Sequence, residues 1–266
     1  MVVRAPICPV YAQPDPQSPL ADEALCGMTV EVLDSAGDGF YHIRTHYGYE
    51  GFAPAECLCH DPDWEALPQK IVFHKTTCDV LAQPRFSAPC LCTLPLGARV
   101  APVGEAQEGW QQVALPGGER GYVRASCLGP CYATPPALPA HRLRRCLTNT
   151  AQRYCRAQYR WGGKTPLGVD CSGLVSMSYL LWGIVIFRDA RMEPGYPIRP
   201  IPLEAIAPAD LLYFKGHVAM YLGEGRYIHS TGKAGSDGVV INSLDPAAPD
   251  YRPDLAQGIL QVGSYF

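Results

Sequence analysis

The most informative stretch of the chain reads Tyr159-Arg160-Trp161-Gly162-Gly163-Lys164-Thr165-Pro166-Leu167-Gly168-Val169-Asp170-Cys171-Ser172-Gly173-Leu174-Val175. Its first half is rich in glycine and proline and therefore predicts a loop. After Cys171, apolar residues recur at three- and four-residue steps up to Gly183, which predicts a helix beginning at Cys171. The dipole and free N–H groups of a helix N-terminus favour a thiolate and can hold an oxyanion. We therefore expect a lowered pKa for the Cys171 thiol.

Two histidines further along the chain are candidates for a base. His217 begins an apolar strand, His229 lies in the next strand, and Gly223-Glu224-Gly225-Arg226 between them predicts a hairpin turn. Such a hairpin would place the two histidines side by side. A cysteine on a helix facing a histidine on a strand, with a second polar group orienting that histidine, is typical of thiol peptidases. Either histidine alone is also compatible with a hydrogen-bonded residue of the core.

The first 130 residues contain one internal repeat, with an offset of 70 residues and no gap. The matched segments include Cys8 with Cys78, Val10 with Val80, Ala12-Gln13-Pro14 with Ala82-Gln83-Pro84, Gly39-Phe40 with Gly109-Trp110, and Gly51-Phe52 with Gly121-Tyr122. Each copy reads as short strands with apolar alternation, bounded by glycine turns. A unit of about 60 residues with such strands predicts a small closed or half-closed barrel.

Proline-rich segments divide the chain. Residues 59–70 and 129–141 read as linkers, so we predict domains at residues 1–60, 71–130 and 141–266. The third domain starts with an amphipathic pattern that predicts a helix. Its apolar positions are Leu143, Cys146, Leu147, Ala151 and Tyr154.

Composition excludes several classes of protein. The 266 residues carry a net charge of −3 without a long basic run, which argues against nucleic acid as the main partner. No apolar window is long enough to predict a membrane-spanning helix. The N-terminal residues do not have the pattern of a signal peptide, so we expect a cytoplasmic protein whose 12 cysteines stay reduced.

Three closely spaced cysteine motifs are candidates for a metal site. The candidate motifs are Cys57-x-Cys59-His60, Cys90-x-Cys92 and Cys127-x3-Cys131. These spacings differ from the paired C-x2-C knuckles of structural zinc sites, and Gly162-Gly163 lacks the ending of a phosphate-binding loop. We therefore expect neither a metal nor a cofactor.

The repeat resembles bacterial SH3-like domains, and the rest of the chain resembles the NlpC-type cell-wall cysteine peptidases, a circularly permuted papain-like family. The residues that carry the second resemblance are Tyr159-x-Trp161-Gly162-Gly163, Asp170-Cys171-Ser172-Gly173-Leu174-Val175, Ala209-Asp210-Leu211, Gly216-His217-Val218-Ala219-Met220-Tyr221-Leu222-Gly223 and Ile228-His229-Ser230. This resemblance implies a multidomain α+β fold, with two small SH3-like β-barrels followed by a papain-like α+β peptidase domain.

The same resemblance implies catalytic roles. Cys171 would be the nucleophile, His217 the general base, and His229 the third residue that orients His217. Tyr159 resembles the family tyrosine whose hydroxyl lies near the oxyanion site. The order of two SH3-like domains before the peptidase is similar to enzymes that cut γ-D-glutamyl-L-diamino acid bonds in murein tripeptides and tetrapeptides with a free N-terminal L-Ala, during peptidoglycan recycling.

That narrower resemblance implies a set of substrate-binding residues. Asp170, Ser172 and Asp189 correspond to family positions around the substrate amine and backbone, and Trp161 would wall the D-Glu subsite. Position 190, often serine in the subfamily, is alanine here. The family closes one end of its cleft with a tyrosine from the first SH3-like domain, for which Tyr49 is the first choice and Tyr47 the second. We expect a monomer whose partner is this peptide.

Three alternatives remain open. An exported peptidoglycan hydrolase would use SH3-like domains to bind the cell wall, but it should carry a signal peptide. A non-catalytic binding module should have lost one member of the Cys171, His217 and His229 set. A phospholipid acyltransferase shares that set but usually carries a membrane segment.

Overall fold

The computed structural model describes residues 1–266 and divides into two units, Met1–Cys131 and Tyr132–Phe266. The N-terminal unit is built of strands and short 3-10 turns, whereas the C-terminal unit combines helices with an antiparallel sheet. This is the multidomain α+β fold that the sequence predicts. None of the helices has the length and apolarity needed to cross a bilayer.

The first half of the N-terminal unit is a small strand module. Its strands are β1 (Val2–Val3), β2 (Ile7–Tyr11), β3 (Leu20–Leu25), β4 (Val30–Gly37), β5 (Phe40–Thr45), β6 (Glu50–Pro54) and β7 (Leu58–Cys59). Five of them form a sheet in the order β3-β2-β6-β5-β4, and β1 pairs with β7. Alternate residues of β2 are buried, because successive side chains of a strand point to opposite faces.

The second half repeats this arrangement. Its strands are β8 (Lys70–Val72), β9 (Thr77–Leu81), β10 (Cys90–Pro95), β11 (Arg99–Gln107), β12 (Trp110–Ala114), β13 (Arg120–Arg124) and β14 (Leu128–Pro130). The sheet order is β10-β9-β13-β12-β11-β8-β14, so β9 to β13 repeat the order of β2 to β6. Even single pairs coincide, since Tyr11 faces Phe52 and Leu81 faces Tyr122. The sequence repeat is therefore a structural repeat.

The two modules are packed together inside the N-terminal unit. Trp64, in the segment predicted as a linker, is 1% exposed and donates a hydrogen bond of 2.9 Å from Nε1 to the Gly27 carbonyl. Its ring packs with Val2 and Ala101, which belong to different modules. Cys26 of the first module joins the apolar core of the second. Residues 59–70 thus anchor the modules to each other, and the domain bounds 1–60, 71–130 and 141–266 stay a prediction.

The C-terminal unit places three helices around one main sheet. Its elements are α1 (Ala140–Gln152), β15 (Lys164–Thr165), β16 (Gly168–Val169), α2 (Cys171–Leu180), β17 (Arg199–Ile201), β18 (Leu211–Phe214), β19 (His217–Gly223), β20 (Arg226–Thr231), β21 (Gly238–Ser243), α3 (Pro253–Ala256) and β22 (Gln261–Ser264). The sheet order is β17-β22-β18-β19-β20-β21. Helix α2 packs against β19 and β20, with α1 beside it. The helix predicted from the apolar pattern that starts at Leu143 and the helix predicted at Cys171 are both present.

The β19–β20 hairpin has the turn that its sequence predicts. Gly223 pairs with Arg226, and the two residues between them, Glu224 and Gly225, have φ angles of +51° and +70°. Two successive left-handed residues make the type I′ turn that matches the twist of a hairpin. This turn joins β19 to β20, and beyond a register shift between Tyr221 and Gly223 the ladder places Met220 opposite Ile228.

Candidate active site

Cys171 is the first residue of α2, and Asp170 immediately before it caps that helix. The Asp170 backbone is extended, and its Oδ1 accepts a hydrogen bond of 2.6 Å from the backbone N–H of Gly173. An aspartate at this position satisfies one of the unpaired N–H groups of a helix N-terminus. Residue 173 has to be a glycine, because a Cβ there would lie 2.1 Å from the Gly163 carbonyl oxygen. The glycine-rich loop therefore packs directly on the first turn of α2.

Burial opposes ionisation of the Cys171 thiol. Cys171 is 8% exposed, and its burial, together with the nearby Asp170 carboxylate, raises the pKa of the thiol to about 11. Hydrogen bonds from the backbone N–H groups of Val218 and Ser172, and the charge of Arg188, act in the opposite direction. The expectation of a lowered pKa is wrong for the resting site, because desolvation outweighs the helix terminus. The thiol therefore needs a base.

His217 and His229 lie side by side on the β19–β20 hairpin, as their spacing predicts. The distance from His217 Nε2 to His229 Nδ1 is 2.8 Å, and the rings are nearly perpendicular at 83°. His229 is fully buried, and its Nε2 lies 2.9 Å from Oδ1 of Asn242 on β21. The three side chains form a hydrogen-bonded chain across three strands, and His217 is the neighbour of Val218, whose amide bonds the thiol.

Both imidazoles are neutral in the resting site. Burial lowers the pKa of His217 to about 3, and the neighbouring His229 lowers it further. Burial also lowers the pKa of His229 to about 4, against the hydrogen bond to Asn242, which raises it. A neutral imidazole can accept a proton from a thiol.

The sequence analysis missed Arg188, which the structure places at the centre of the site. Arg188 is 3% exposed, and its Nη1 and Nη2 each lie 3.1 Å from one carboxylate oxygen of Asp170. Nη1 also donates to Ser172 Oγ at 2.7 Å, and Nη2 donates to the Gly162 carbonyl at 2.9 Å. Nothing in the spacing marks Arg188, but a buried carboxylate calls for a cation nearby, and Arg188 precedes the predicted Asp189.

Tyr159 and Ser172 lie close to the thiol. The Tyr159 backbone is bridged to Val169, just before the helix cap, and its ring is half-buried. Burial, followed by the nearby Cys171 and Asp170, raises the pKa of the Tyr159 hydroxyl to about 12, so the phenol stays protonated. Ser172 Oγ donates to Asp170 Oδ1 at 3.1 Å.

The remaining predicted substrate-binding residues are Trp161, Asp189, Tyr47 and Tyr49. Trp161 is 67% exposed, and the Asp189 carboxylate lies 3.6 Å from Arg191. Tyr47 and Tyr49 belong to the N-terminal unit. Tyr47 is buried and donates a hydrogen bond of 2.5 Å to Asp22 Oδ2, whereas Tyr49 is half-buried at the tip of the β5–β6 hairpin. The roles of these four residues stay predictions.

The cysteine motifs do not assemble into a cluster of metal-ligating side chains. No group of three or more His, Cys, Asp or Glu side chains lies close enough to hold a metal ion. All 12 cysteines are free thiols. Cys8 lies next to Cys57 in the first module, and Cys78 lies next to Cys127 in the second, so the repeat extends to these neighbours.

Comparisons with known proteins cover both units. Residues 156–252 match the NlpC/P60 family, and residues 10–58 match the bacterial dipeptidyl-peptidase Sh3 domain. A protein of Lysinibacillus sphaericus named dipeptidyl-peptidase 6 is 39% identical over 272 residues, which cover 100% of this chain and 99% of the relative. A Bacillus cereus protein named gamma-D-glutamyl-L-lysine dipeptidyl-peptidase is 28% identical over 79% of this chain and 67% of its own length.

A solved structure shares the fold. The crystal structure of an NlpC/P60 family protein from Bacillus cereus superposes with a TM-score of 0.81 and 22% identity, covering 99% of this chain and 98% of the other. The family match contains Cys171, His217 and His229. From the full-length relative and this match, the chain belongs to the NlpC/P60 family, which is a family of cysteine peptidases.

Proposed function

We propose that this chain is a cysteine endopeptidase that cleaves the γ-D-glutamyl-L-diamino acid bond of free murein peptides with an unblocked N-terminal L-Ala. The observation that carries the proposal is the thiol of Cys171 at a helix N-terminus beside the His217–His229 pair. The bond is supported by the name of the Bacillus cereus relative, gamma-D-glutamyl-L-lysine dipeptidyl-peptidase. Use of the activity in peptidoglycan recycling is part of the same proposal.

The first step is activation of the thiol. His217 Nε2 is engaged with His229, so Nδ1 is the nitrogen available to Cys171. Transfer of the thiol proton to Nδ1 produces a thiolate and an imidazolium, which attract each other across a buried site. Nε2 of the His217 imidazolium donates a hydrogen bond to Nδ1 of His229, which stabilises the imidazolium. This ion pair offsets the burial that raises the pKa of the resting thiol.

The second step is acyl transfer. The thiolate attacks the γ-carbonyl carbon of D-Glu, and the carbonyl oxygen takes the negative charge. Backbone N–H groups at the start of α2 and the protonated hydroxyl of Tyr159 are the candidate donors to this oxyanion. The His217 imidazolium then gives its proton to the departing α-amine of the diamino acid. Water, deprotonated by His217, attacks the thioester carbonyl. The C–S bond then breaks, which releases the γ-carboxylate and the Cys171 thiolate, and the thiolate takes back the proton from His217.

Recognition of the free amine is assigned to Asp170, Ser172 and Asp189. An ammonium taken out of water needs a carboxylate partner. Because both Asp170 oxygens already bond Arg188, a substrate amine would share that carboxylate, and Asp189 would supply further negative charge. Contributions of Trp161 to the D-Glu subsite and of Tyr47 or Tyr49 to the closed end of the cleft belong to the same proposal. A cytoplasmic location stays a prediction.

The test is mass spectrometry of the products from L-Ala-γ-D-Glu-diaminopimelate and the corresponding lysine peptide. We expect L-Ala-D-Glu and the free diamino acid. The matched control is the same peptide acetylated at L-Ala, which should be cleaved much more slowly because its amide has no positive charge to interact with the Asp170 and Asp189 carboxylates. Intact sacculi form the third arm. Equal rates on sacculi and on the free peptide would overturn the free-peptide specificity and favour a wall-degrading hydrolase.

A further inference from the structure

The imidazole pair is attached to a third polar side chain that sequence analysis did not single out. Asn242 lies on β21, which is paired with the strand of His229, and its Oδ1 is 2.9 Å from His229 Nε2. The amide nitrogen of the same side chain donates a hydrogen bond of 2.7 Å to the backbone carbonyl of Asp250. His229 is fully buried, so water does not compete for its Nε2.

The Asp250 carbonyl fixes the direction of each hydrogen bond in the series that links Asp250, Asn242, His229 and His217. A carbonyl oxygen can only accept, so the nitrogen of the Asn242 amide faces Asp250 and its oxygen faces His229. An amide oxygen also can only accept, so His229 Nε2 carries a hydrogen. In a neutral imidazole the other nitrogen is then an acceptor, which requires His217 Nε2 to donate to His229 Nδ1.

The same hydrogen bonds determine the state of His217 Nδ1, the nitrogen available to the Cys171 thiol. With its hydrogen on Nε2, neutral His217 has an unshared electron pair on Nδ1. That is the state in which His217 can accept the thiol proton of Cys171. The opposite arrangement, with hydrogens on Nδ1 of both rings, would leave no base towards the thiol. The same chain remains intact after protonation, since the imidazolium still donates from Nε2 to His229.

We propose that Asn242 is a positioning residue that fixes both imidazoles in the tautomer with the hydrogen on Nε2 and thereby makes His217 the base towards Cys171. The inference rests on the thiol-peptidase function proposed above, but not on the identity of the substrate. Asn242 contacts neither the substrate nor the thiol. Its effect on the reaction passes through His229 and His217.

Two variants separate this role from a merely structural one. Asn242→Leu and Asn242→Asp both lose the hydrogen bond to the Asp250 carbonyl, but only Asn242→Asp keeps an oxygen acceptor for His229 Nε2. Ser243→Ala is the matched control, since the neighbouring Ser243 is buried and loses one hydrogen bond, to the Asp245 amide, without contacting either imidazole.

We expect Asn242→Leu to lower kcat by about 10- to 100-fold with little change in KM, because general-base catalysis contributes about 10²–10⁴-fold as a whole. Asn242→Asp should recover most of kcat. Its negative charge should also raise the pKa of the histidine pair and move the acid limb of the pH profile to higher pH. The other charged residues that face the two histidines are Asp170, with its partner Arg188, and Arg252, with Asp254. The wild type and every variant retain them.

Nitrogen-15 NMR of the ring nitrogens provides a readout that needs no substrate. In the wild type, His217 and His229 should both be protonated at Nε2, and Asn242→Leu should shift this equilibrium. The rate of Cys171 alkylation by iodoacetamide, followed by peptide mapping, should fall in Asn242→Leu and recover in Asn242→Asp. If the murein peptides are not cleaved at all, the proposed substrate fails while these two measurements still decide the role of Asn242.

Two results would overturn the inference. One is a wild-type spectrum with the hydrogen on Nδ1 of His217, a result that does not depend on the folding of any variant. The other is equal loss of activity in Asn242→Leu and Asn242→Asp with unchanged tautomers, which would mean that Asn242 only holds the Asp250 segment in place.

Discussion

Two regions of the molecule bury a carboxylate, and the side chains that bond it include a guanidinium in one region and a phenol in the other. In the C-terminal unit, Asp170 is 7% exposed and bonds the guanidinium of Arg188 and the first turn of α2. In the N-terminal unit, Asp22 is 0% exposed and accepts a hydrogen bond from the Tyr47 hydroxyl. A buried charge is stable only when it is paired or hydrogen-bonded. The Arg188 guanidinium bonds the first carboxylate, and the Tyr47 hydroxyl is one partner of the second.

The internal repeat sharpens this difference. At the offset of 70 residues, Asp22, Glu23 and Tyr47 correspond to Cys92, Thr93 and Gly117, none of which carries a carboxylate or a phenol. The repeat keeps the residues that fill the core, such as Val10 and Val80, both of them fully buried. The buried acids therefore distinguish the first module from the second.

The largest effect is expected when the Cys171 thiol is removed and the charged residues around it are kept. Cys171→Ala should abolish hydrolysis, because the sulfur forms the covalent acyl intermediate. The fold should persist, since Asp170, Arg188 and the imidazole chain all remain. Product formation by mass spectrometry and thermal unfolding measure the two outcomes. Hydrolysis at the wild-type rate by Cys171→Ala would refute the peptidase mechanism.

Removing the cation tests the first region directly. Arg188→Leu should lower the free energy of unfolding by about 3–5 kcal/mol, because it leaves the Asp170 carboxylate buried and unpaired. Activity should fall as well, since the helix start that holds Cys171 depends on Asp170. The control is Arg44→Leu, which breaks exposed ion pairs with Glu31 and Glu50 and should leave the free energy of unfolding nearly unchanged, because solvent screens them. Urea denaturation measures both, and similar losses in the two variants would contradict the comparison.

The imidazole pair makes stability depend on pH. Because the folded-state pKa values of about 3 for His217 and about 4 for His229 lie below the unfolded value, the unfolded chain binds more protons between about pH 6.5 and pH 4. Stability should therefore fall as the pH drops, by about 2 kcal/mol per histidine between pH 7 and pH 5. Urea denaturation across this range should show a weaker pH dependence for His229→Gln. The exposed His60 is the control, and His60→Gln should keep the wild-type slope.

The smallest effect is expected around Asp22, the buried carboxylate of the N-terminal unit. Tyr47→Phe removes the hydroxyl that bonds Asp22 and should lower the free energy of unfolding by about 1 kcal/mol. If Tyr47 also contributes to substrate binding, KM for the free peptide should rise while kcat stays nearly constant. Tyr122→Phe in the second module, where the ring faces a surface groove, is the matched control. Equal effects of the two substitutions on KM would remove the distinction between the modules.

Local signals in the sequence were sufficient for much of this molecule. The repeat predicted two strand modules of the same order, the period after Cys171 predicted α2, and the glycine turn predicted the hairpin that places His217 and His229 side by side. Each of these signals acts over a short span, through periodicity, turn geometry or helix capping. The anchoring of the modules by Trp64 was not predicted, since a proline-rich segment resembles a linker whether or not its tryptophan finds a pocket.

By itself, the sequence determined which elements form and which residue types meet near the thiol. Only the tertiary structure decided the protonation state of the thiol and the imidazoles and the direction of the hydrogen bonds that join them. Arg188 bonds Asp170 from 18 residues further along the chain, Asn242 bonds His229 from 13 residues further along, and no local pattern marks either residue. Burial raises the pKa of the Cys171 thiol, although its place at a helix terminus predicts the opposite. The physical reason is that desolvation depends on everything packed around a group, whereas capping and periodicity depend on a few neighbours along the chain.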